Sequence, residues 1–417
     1  MTHNQSITTA ANLRRYDIDW LRVLAFLLLI FYHIGMFYVY DWGWHIKSAY
    51  QSEFLQNLML LLNRWRMPLI FLISGMALSL VEAKVGPGKL LKLRFVRVFV
   101  PLVLGMYIIV PPQTYLEIVA NNDFSGGYWS FYQLYIDPDT SALRKYNHGP
   151  LGLLTWNHLW YLAYLWHYTL IYLLVRPLLT RVNWVAFNQR VGAGVLFVLF
   201  SVWITLTIFW LKPDHPITHN LTSDWYNHAV SFSIFALGYL LPKCRIGWQQ
   251  IILHRRKFLL GALFGYATTL IFHNGRLDVL LTEAGFDVNE LASHFETFLL
   301  INSVKAMNII CWLFMLLGYA GRYLTRSNRF LSYMNEAVLP WYILHQTVTV
   351  VVAAWLAKFA LGPILEPVSL IFLTFFFCAL GYELLKRNNI TRFIFGMKLI
   401  NRSSQREAFS KSATSEV

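Results

Sequence analysis

Long apolar runs recur along the whole chain, and about 20 mostly apolar residues are enough for a helix to cross the hydrocarbon core of a bilayer. Ten segments fit this rule: 18–40, 55–82, 94–118, 157–176, 191–211, 229–242, 257–273, 296–320, 332–357 and 365–386. Of the 417 residues, 57% are hydrophobic and only 13% are charged, whereas soluble domains carry about 25% charged residues. The pattern excludes an ordinary soluble enzyme and predicts an all-α polytopic membrane protein with about ten transmembrane helices.

The basic residues predict an orientation for these helices. About three quarters of the 35 Lys and Arg residues lie in the N-terminal segment, the even-numbered connections and the C-terminal tail, and such enrichment is typical of cytoplasmic segments. Both termini are therefore predicted to be cytoplasmic, and the net charge of +14 is attributed to this asymmetry rather than to nucleic-acid binding. The predicted domains are a cytoplasmic segment 1–14, a membrane domain 15–390 and a disordered cytoplasmic tail 391–417.

Ionisable side chains inside the spans are the main functional signal, because each costs about 2.5–3.5 kcal/mol on membrane insertion. The first span contains Asp19, Arg22 and His33. Arg22 and His33 are eleven residues apart, which on a helix gives about 20° of angular offset and about 16 Å of rise, so both project from one face at different depths. Structural alternatives are a snorkelling Arg22, an Asp19–Arg22 pair and a His33 that hydrogen-bonds across helices.

The second span carries Arg66 at a predicted depth similar to that of His33, followed by Ser74 and Gly75. A cation at this depth is not expected to face lipid. Arg66 is either part of a site or one half of an ion pair between helices. Ser74 and Gly75 either allow close helix packing or contact a substrate.

Arg94 and Arg97 stand at the cytoplasmic mouth of the third span, three residues apart on one helical face. Two guanidinium groups so placed can bind phosphate. The alternative interpretation is an ordinary basic flank on the cytoplasmic side.

Further polar and aromatic residues lie near the outer surface. His158, Trp160 and Tyr161 open the fourth span, and His345 lies in the middle of the ninth, where a hydrogen-bonded structural role is its default. The long connection 119–156 is rich in aromatic residues, among them Tyr128, Trp129, Phe131, Tyr132 and Tyr135. Its rings either stack on sugars or form an interfacial aromatic belt.

Taken together, these motifs resemble the membrane-bound acyltransferase family 3. Asp19-x-x-Arg22 followed by ten residues and His33 is similar to the first-span signature of that family, Phe71-Leu72-Ile73-Ser74-Gly75 to its second-span block, and Arg94-x-x-Arg97 to its cytoplasmic R-x-x-R. Arg66-Met67 and the run His158-Leu159-Trp160-Tyr161-Leu162 resemble the branch associated with succinylation of periplasmic glucans. The similarity covers roughly residues 15–390.

The resemblance implies an enzyme of the bacterial inner membrane that moves a succinyl or acetyl group from cytoplasmic acyl-CoA to a hydroxyl of an extracytoplasmic carbohydrate. Acyl-CoA is a donor substrate, and no metal or permanently bound cofactor is expected. The implied roles are catalysis for His33, Arg22, Asp19 and Arg66, phosphate binding for Arg94 and Arg97, and substrate contact for Ser74, His158, Trp160, Tyr161 and His345. His33 acts either as a general base or as a transient acyl carrier.

Transfer across a membrane needs a path between its two faces, so a water-accessible tunnel with His33 at its narrowest point is expected. Two other classes of protein remain open at this stage. A proton-coupled transporter or flippase also uses histidine, arginine and aspartate within helices, and a membrane scaffold needs none of them for chemistry.

Overall fold

The computed structural model describes residues 14–147 and 149–400, and that part of the chain is helical, without strands. The predicted all-α class is therefore confirmed. The first 13 residues of the predicted N-terminal segment and the predicted disordered tail from residue 401 lie outside the described residues.

The α-helices are numbered in chain order: α1 Tyr16–Met36, α2 Glu53–Asn63, α3 Arg66–Glu82, α4 Pro87–Arg94, α5 Val100–Ile108, α6 Pro111–Ala120, α7 Tyr128–Ile136, α8 Trp160–Leu179, α9 Trp184–Arg190, α10 Ala193–Trp210, α11 Trp225–Leu240, α12 Arg245–Leu253, α13 Arg255–His273, α14 Arg276–Glu283, α15 Val288–Ser293, α16 Phe295–Tyr323, α17 Arg329–Leu356, α18 Gly362–Leu385 and α19 Asn389–Ile394. A π-helical turn, Phe95–Phe99, joins α4 to α5. Short 3-10 turns lie at Arg144–Tyr146, Asn157–Leu159, Leu241–Lys243 and Ala357–Phe359.

Eight helical stretches of the described chain are long and apolar enough to cross a membrane: Tyr16–Met36, Glu53–Glu82, Pro87–Ala120, Asn157–Leu179, Ala193–Trp210, Phe295–Tyr323, Arg329–Phe359 and Gly362–Leu385. Each overlaps one predicted span. The predicted span 229–242 falls on α11, which is long and apolar enough to cross a membrane only when it is taken together with α12, bent by 100° against it. The predicted span 257–273 coincides with α13 but is not among the eight. The cytoplasmic location of the termini stays a prediction.

Several helices begin where the sequence supplies a cap. The side chain of Ser52 accepts a hydrogen bond from Leu55 N at the start of α2, and that of Asn328 accepts one from Leu331 N at the start of α17. Such side chains satisfy N–H groups that have no partner within the helix. The helix boundaries thus follow from local sequence, whereas the arrangement of the helices follows from packing.

Glycine residues bring α3 and α11 unusually close together. A Cβ atom placed on Gly75 would lie 1.9 Å from the carbonyl oxygen of Phe235, and one placed on Gly238 would lie 2.0 Å from that of Leu72. Close approach of this kind is how small residues drive helix association in membranes. Gly75 thus has a packing role, next to a serine that lines a cavity described below.

We expect Gly75→Ala to lower the free energy of unfolding by about 1–3 kcal/mol or more, because the added methyl group meets backbone atoms that cannot rotate away. Gly88→Ala is the matched control, since nothing lies within 4 Å of its added Cβ atom. Thermal unfolding in detergent measures both. Equal stability of the two variants would contradict the close crossing.

The described residues of the connection 119–156, which is predicted to lie on the outer side, form a folded segment. Phe131 and Tyr135 are fully buried in a small core of their own, together with Ile118, Tyr146 and Leu153. Their ring faces are therefore closed to sugars, whereas Trp129 is 74% exposed.

Candidate active site

Two histidines from distant parts of the chain meet between α1 and α17. The Nδ1 atom of His33 lies 2.8 Å from Nε2 of His345, and the two rings stack at 4.9 Å with an angle of 8° between their planes. His345 is fully buried, whereas His33 keeps partial exposure. The pair therefore presents one imidazole, that of His33, to its surroundings.

The hydrogen bonds assign the tautomers of the pair. Nδ1 of His345 lies 2.7 Å from the carbonyl oxygen of Tyr342, and a carbonyl can only accept, so this nitrogen carries a hydrogen. With both rings neutral, Nε2 of His345 accepts a hydrogen bond from Nδ1–H of His33. The lone pair of His33 then lies on Nε2, which has no hydrogen-bond partner among the described residues. This is the arrangement of a base held in one tautomer by a neighbour.

His158 packs against the histidine pair, and its ring nitrogens bond within the protein. Its Nε2 donates to the carbonyl oxygen of Ile343 at 3.0 Å, its Nδ1 lies 3.3 Å from Nε2 of Gln113, and its ring packs on the edge of His345 at 5.3 Å. Both ring nitrogens are thus engaged within the protein. The geometry favours a positioning role for His158 over the substrate contact implied by the family resemblance.

A cavity of about 690 Å³ is lined by residues of α1, α3, α8 and α17, among them Arg22 but not His33. We call it the inner cavity, because Arg22 is near the end of α1 that is predicted to be cytoplasmic. Its volume is in the range of small-molecule sites. Six cationic side chains line it: Arg14, Arg22, Arg94, Arg97, Arg392 and Lys398. The predicted phosphate-binding pair therefore does lie in a basic cavity, and the described part of the predicted tail contributes to its wall.

The cations of this inner cavity fall into two groups. Arg22 is paired with Asp19 at 3.0 Å and donates to Oδ1 of Asn335 at 2.6 Å, which confirms the predicted Asp19–Arg22 contact. Arg94 and Arg97 take part in no ion pair within the described chain. They flank the start of the π-helical turn, a feature frequent at functional sites, and both line the cavity. Asp19 and Arg22 are far from His33, so the predicted catalytic group is split between two levels.

Aromatic rings close the cavity toward the histidine pair. Its lining ends at Phe26 and Tyr161, and Tyr342 packs against these two rings at 5.3 and 5.9 Å. His33 is seven residues beyond Phe26 on α1, about 10 Å further along the helix, and does not line the cavity. The inner cavity therefore does not reach His33 in the described part of the chain, and the open tunnel through His33 stays a prediction.

Ser74 lines the cavity beside this aromatic layer. Its hydroxyl donates to the carbonyl oxygen of Ile70 at 2.9 Å and accepts a hydrogen bond from the hydroxyl of Tyr161. Its single hydrogen is already in use, so Ser74 cannot donate to a substrate without rearrangement.

On the other side of this aromatic layer, the guanidinium group of Arg66 lies 3.4 Å from the ring centre of Tyr32. Tyr32 is the residue that precedes His33 in the chain. Its Nε and Nη1 atoms are buried without a hydrogen-bond partner. Among the described residues, Arg66 forms no ion pair, so the pair between helices considered from the sequence is not seen there. Trp160, which was predicted to contact substrate, stacks on His219 at 4.1 Å.

A polar network near the pair was missed by sequence reasoning. His45 bonds to Glu117 through Nδ1, and its Nε2 lies 3.0 Å from Nε2 of Gln346, which also donates to Asn157 at 3.0 Å. Glu117 was visible as an acid inside the predicted span 94–118, but its partner is 72 residues away in sequence. Because Gln346 follows His345, this network ties α17 to the outer connections.

Comparison with known proteins shows the family to which this chain belongs. Residues 15–383 match the family model described as acyltransferase domain, so the chain belongs to the acyltransferase family 3. Glucans biosynthesis protein C of Salmonella paratyphi B, Salmonella heidelberg and Salmonella enteritidis is 28% identical over 152 residues, which is 36% of this chain and 36% of each relative. The chain thus aligns with about a third of the length of these curated relatives. No solved structure matches.

The family match and the apolar helices of membrane-spanning length together show that this protein is a membrane acyltransferase. Its enzyme class, predicted from the motifs, is confirmed.

For the histidine pair, we expect His345→Leu to lower kcat about 100-fold with little change in KM, because His33 loses the acceptor that fixes its tautomer and general-base catalysis contributes about 10²–10⁴-fold. His345→Gln keeps a side-chain acceptor and should retain more activity, with a pH–rate profile closer to the wild type. Steady-state acyl transfer by the purified protein measures this. Equal activities of the two variants would contradict the positioning role.

Proposed function

We propose that this protein is an O-acyltransferase that moves a succinyl or acetyl group from cytoplasmic acyl-CoA to a hydroxyl group of a carbohydrate on the opposite side of the membrane. The observation that carries the proposal is the His33–His345 hydrogen bond, which leaves a lone pair on Nε2 of His33. This nitrogen stands between a basic inner cavity and the outer connections. The relatives are named glucans biosynthesis protein C, and this name supports a glucan as the acceptor.

The inner cavity suits the charged end of the donor. CoA carries several phosphate groups, and Arg94 and Arg97 offer guanidinium groups that are not neutralised by acids of the described chain. Arginine binds phosphate with two parallel hydrogen bonds. A highly charged molecule does not cross a bilayer, so the donor binds from the side on which this cavity opens.

The reactive end of the donor has to pass the rings of Phe26, Tyr161 and Tyr342. The pantetheine arm is slender, and displacement of one of these side chains is enough to admit it. We infer that the layer opens when donor is bound and otherwise closes the membrane to water and ions. This replaces the permanently open tunnel.

At the histidine pair, the acceptor hydroxyl is a weak nucleophile at neutral pH and needs a base. Nε2 of His33 takes its proton as the oxygen attacks the thioester carbonyl, and the thiolate of CoA leaves and recovers that proton from His33. His345 keeps the ring in place throughout by its hydrogen bond to Nδ1. The oxyanion that forms in this step needs a hydrogen-bond donor. Arg66 has buried N–H groups without an acceptor, whereas the hydroxyl hydrogen of Ser74 is already donated to Ile70.

His33→Ala is expected to abolish acyl transfer while leaving a folded, membrane-inserted protein, because no other described group replaces Nε2 of His33. The control is His294→Ala, an exposed histidine that caps no backbone N–H of α16 with its side chain. Mass spectrometry of the carbohydrate product and chromatography of the purified variants give the readout. Wild-type rates from His33→Ala would exclude the proposed base.

Replacement of both Arg94 and Arg97 by Ala should raise the KM for acyl-CoA more than that for the acceptor, by about tenfold or more, since each lost charge-assisted hydrogen bond is worth about 1.5–3 kcal/mol. Lys89→Ala with Lys92→Ala removes the same charge from α4 at exposed positions outside the cavity. If both double variants show the same donor dependence, Arg94 and Arg97 are merely a basic flank.

A further inference from the structure

The loop between α1 and α2, residues 37–52, folds back on the C-terminal end of α1, where the histidine pair lies. The backbone N–H group of Ser48 donates to the carbonyl oxygen of Phe37 at 2.9 Å. The ammonium group of Lys47 donates to the carbonyl oxygen of Met36 at 2.8 Å. These hydrogen bonds tie the loop to the end of the helix.

Trp44, in this loop, contacts the proposed base. The centre of its ring lies 5.4 Å from that of His33, with an angle of 38° between the two planes. Its Nε1 atom is buried and has no hydrogen-bond partner among the described residues. An indole N–H group can only donate, and in a buried tryptophan it usually has an acceptor. The donor next to the base is therefore available to a substrate atom.

Two other tryptophans show that a free indole N–H group is not enough by itself. The Nε1 atoms of Trp65 and Trp341 are also buried without a partner. Their rings contact Trp312 and Phe375 respectively, each at 5.7 Å, and neither ring contacts a histidine ring in the described chain. Trp44 differs from them by its position against the base.

The residue after Trp44 anchors this part of the loop. The ring of His45 contacts that of Trp44 at 5.1 Å. Its Nδ1–H group donates to Glu117, and its Nε2 accepts from the amide of Gln346 at 3.0 Å. Gln346 follows His345 on α17, so the loop is tied to the helix that holds the base. A donor that is fixed before the substrate binds needs no reorganisation during the reaction.

Two reacting oxygens are candidates for the hydrogen bond from Trp44. The acceptor oxygen gives its proton to Nε2 of His33 and attacks the thioester carbonyl carbon, whose oxygen then takes the negative charge. A hydrogen bond donated to the attacking oxygen would withdraw electron density and weaken the nucleophile. A hydrogen bond donated to the carbonyl oxygen polarises the carbonyl group and stabilises the oxyanion. Only the second arrangement accelerates the transfer.

We propose that Trp44 is a catalytic residue whose Nε1–H group donates a hydrogen bond to the carbonyl oxygen of the acyl thioester and to the oxyanion formed from it. The proposal rests on the proposed function and adds a neutral donor to the charged group of Arg66. Trp44 transfers no proton. The oxyanion collapses as the carbon–sulfur bond breaks, and the thiolate of CoA recovers the acceptor proton from His33.

Trp44→Phe keeps an aromatic ring at this position and removes the donor. In the purified full-length protein, kcat should fall about 100-fold, while KM for acyl-CoA and for the carbohydrate stays within about twofold, because the strongest form of the interaction is made in the transition state. Thermal unfolding should be unchanged. Trp341→Phe is the matched control, since it removes another buried, unpartnered indole N–H group, and it should keep the wild-type kcat.

A wild-type kcat in Trp44→Phe, or an equal loss in both variants, would overturn the proposal. So would a higher KM for the carbohydrate at an unchanged kcat, because Trp44 would then bind the acceptor.

Two inert donor analogues test the same hydrogen bond without turnover. One is acetyl-CoA with a methylene group in place of the thioester sulfur, and the other is the same molecule with its carbonyl group reduced to a methylene group. By calorimetry, the wild type should bind the ketone about threefold or more tightly than the analogue without a carbonyl, and Trp44→Phe should lose this preference. Equal binding by the wild type, or a preference that survives in Trp44→Phe, would overturn the proposal. A ketone preference in a wild type that transfers no acyl group defeats the proposed function alone.

Discussion

The hydrogen bond between His33 and His345 is the interaction on which the proposed chemistry depends. An imidazole inside a membrane helix needs a polar partner, and here the partner is a second imidazole whose other nitrogen donates to the carbonyl oxygen of Tyr342. The series of hydrogen bonds runs from the carbonyl oxygen of Tyr342 through His345 to His33. It ends at Nε2 of His33, whose lone pair has no hydrogen-bond partner among the described residues. A polar cluster that is needed to bury two rings therefore also prepares one of them to accept a proton.

Around this pair, the charged residues are divided between two sides. Arg94 and Arg97 line the inner cavity, whereas Arg66 lies over the ring of Tyr32, the residue before His33. The packed rings of Phe26, Tyr161 and Tyr342 lie between these two levels. Such a division suits an enzyme whose substrates come from opposite compartments. In the proposed function, this layer closes the membrane to water and ions until the donor binds.

Much of the fold was predictable because hydrophobic segment length is a local property. All ten predicted spans fall on helices, and Arg94 and Arg97 reach the cavity because their spacing places both on one face. Contacts between distant segments were not predictable. His33 and His345 are 312 residues apart, and His345 by itself suggested only a structural histidine.

The contacts of the residues at the start of the predicted tail could not be predicted from the sequence either. Arg392 lies past the predicted end of the membrane domain, yet it is buried, bonds to Glu336 and lines the inner cavity. Likewise, the aromatic layer depends on rings from α1, α8 and α17 that meet only after packing. Local patterns thus predicted which residues are expensive to bury, whereas the partners that offset this cost are set by the tertiary structure.

The central claim is that donor and acceptor meet from opposite sides at His33, and proteoliposomes with the protein inserted in one orientation test it most directly. Acyl-CoA is added outside and an oligosaccharide is enclosed, or the two are exchanged, and acylated sugar is measured by mass spectrometry. Product is expected only when acyl-CoA is on the side of the Arg94–Arg97 cavity and the sugar is on the other. Product that forms only when both substrates share one compartment would contradict it.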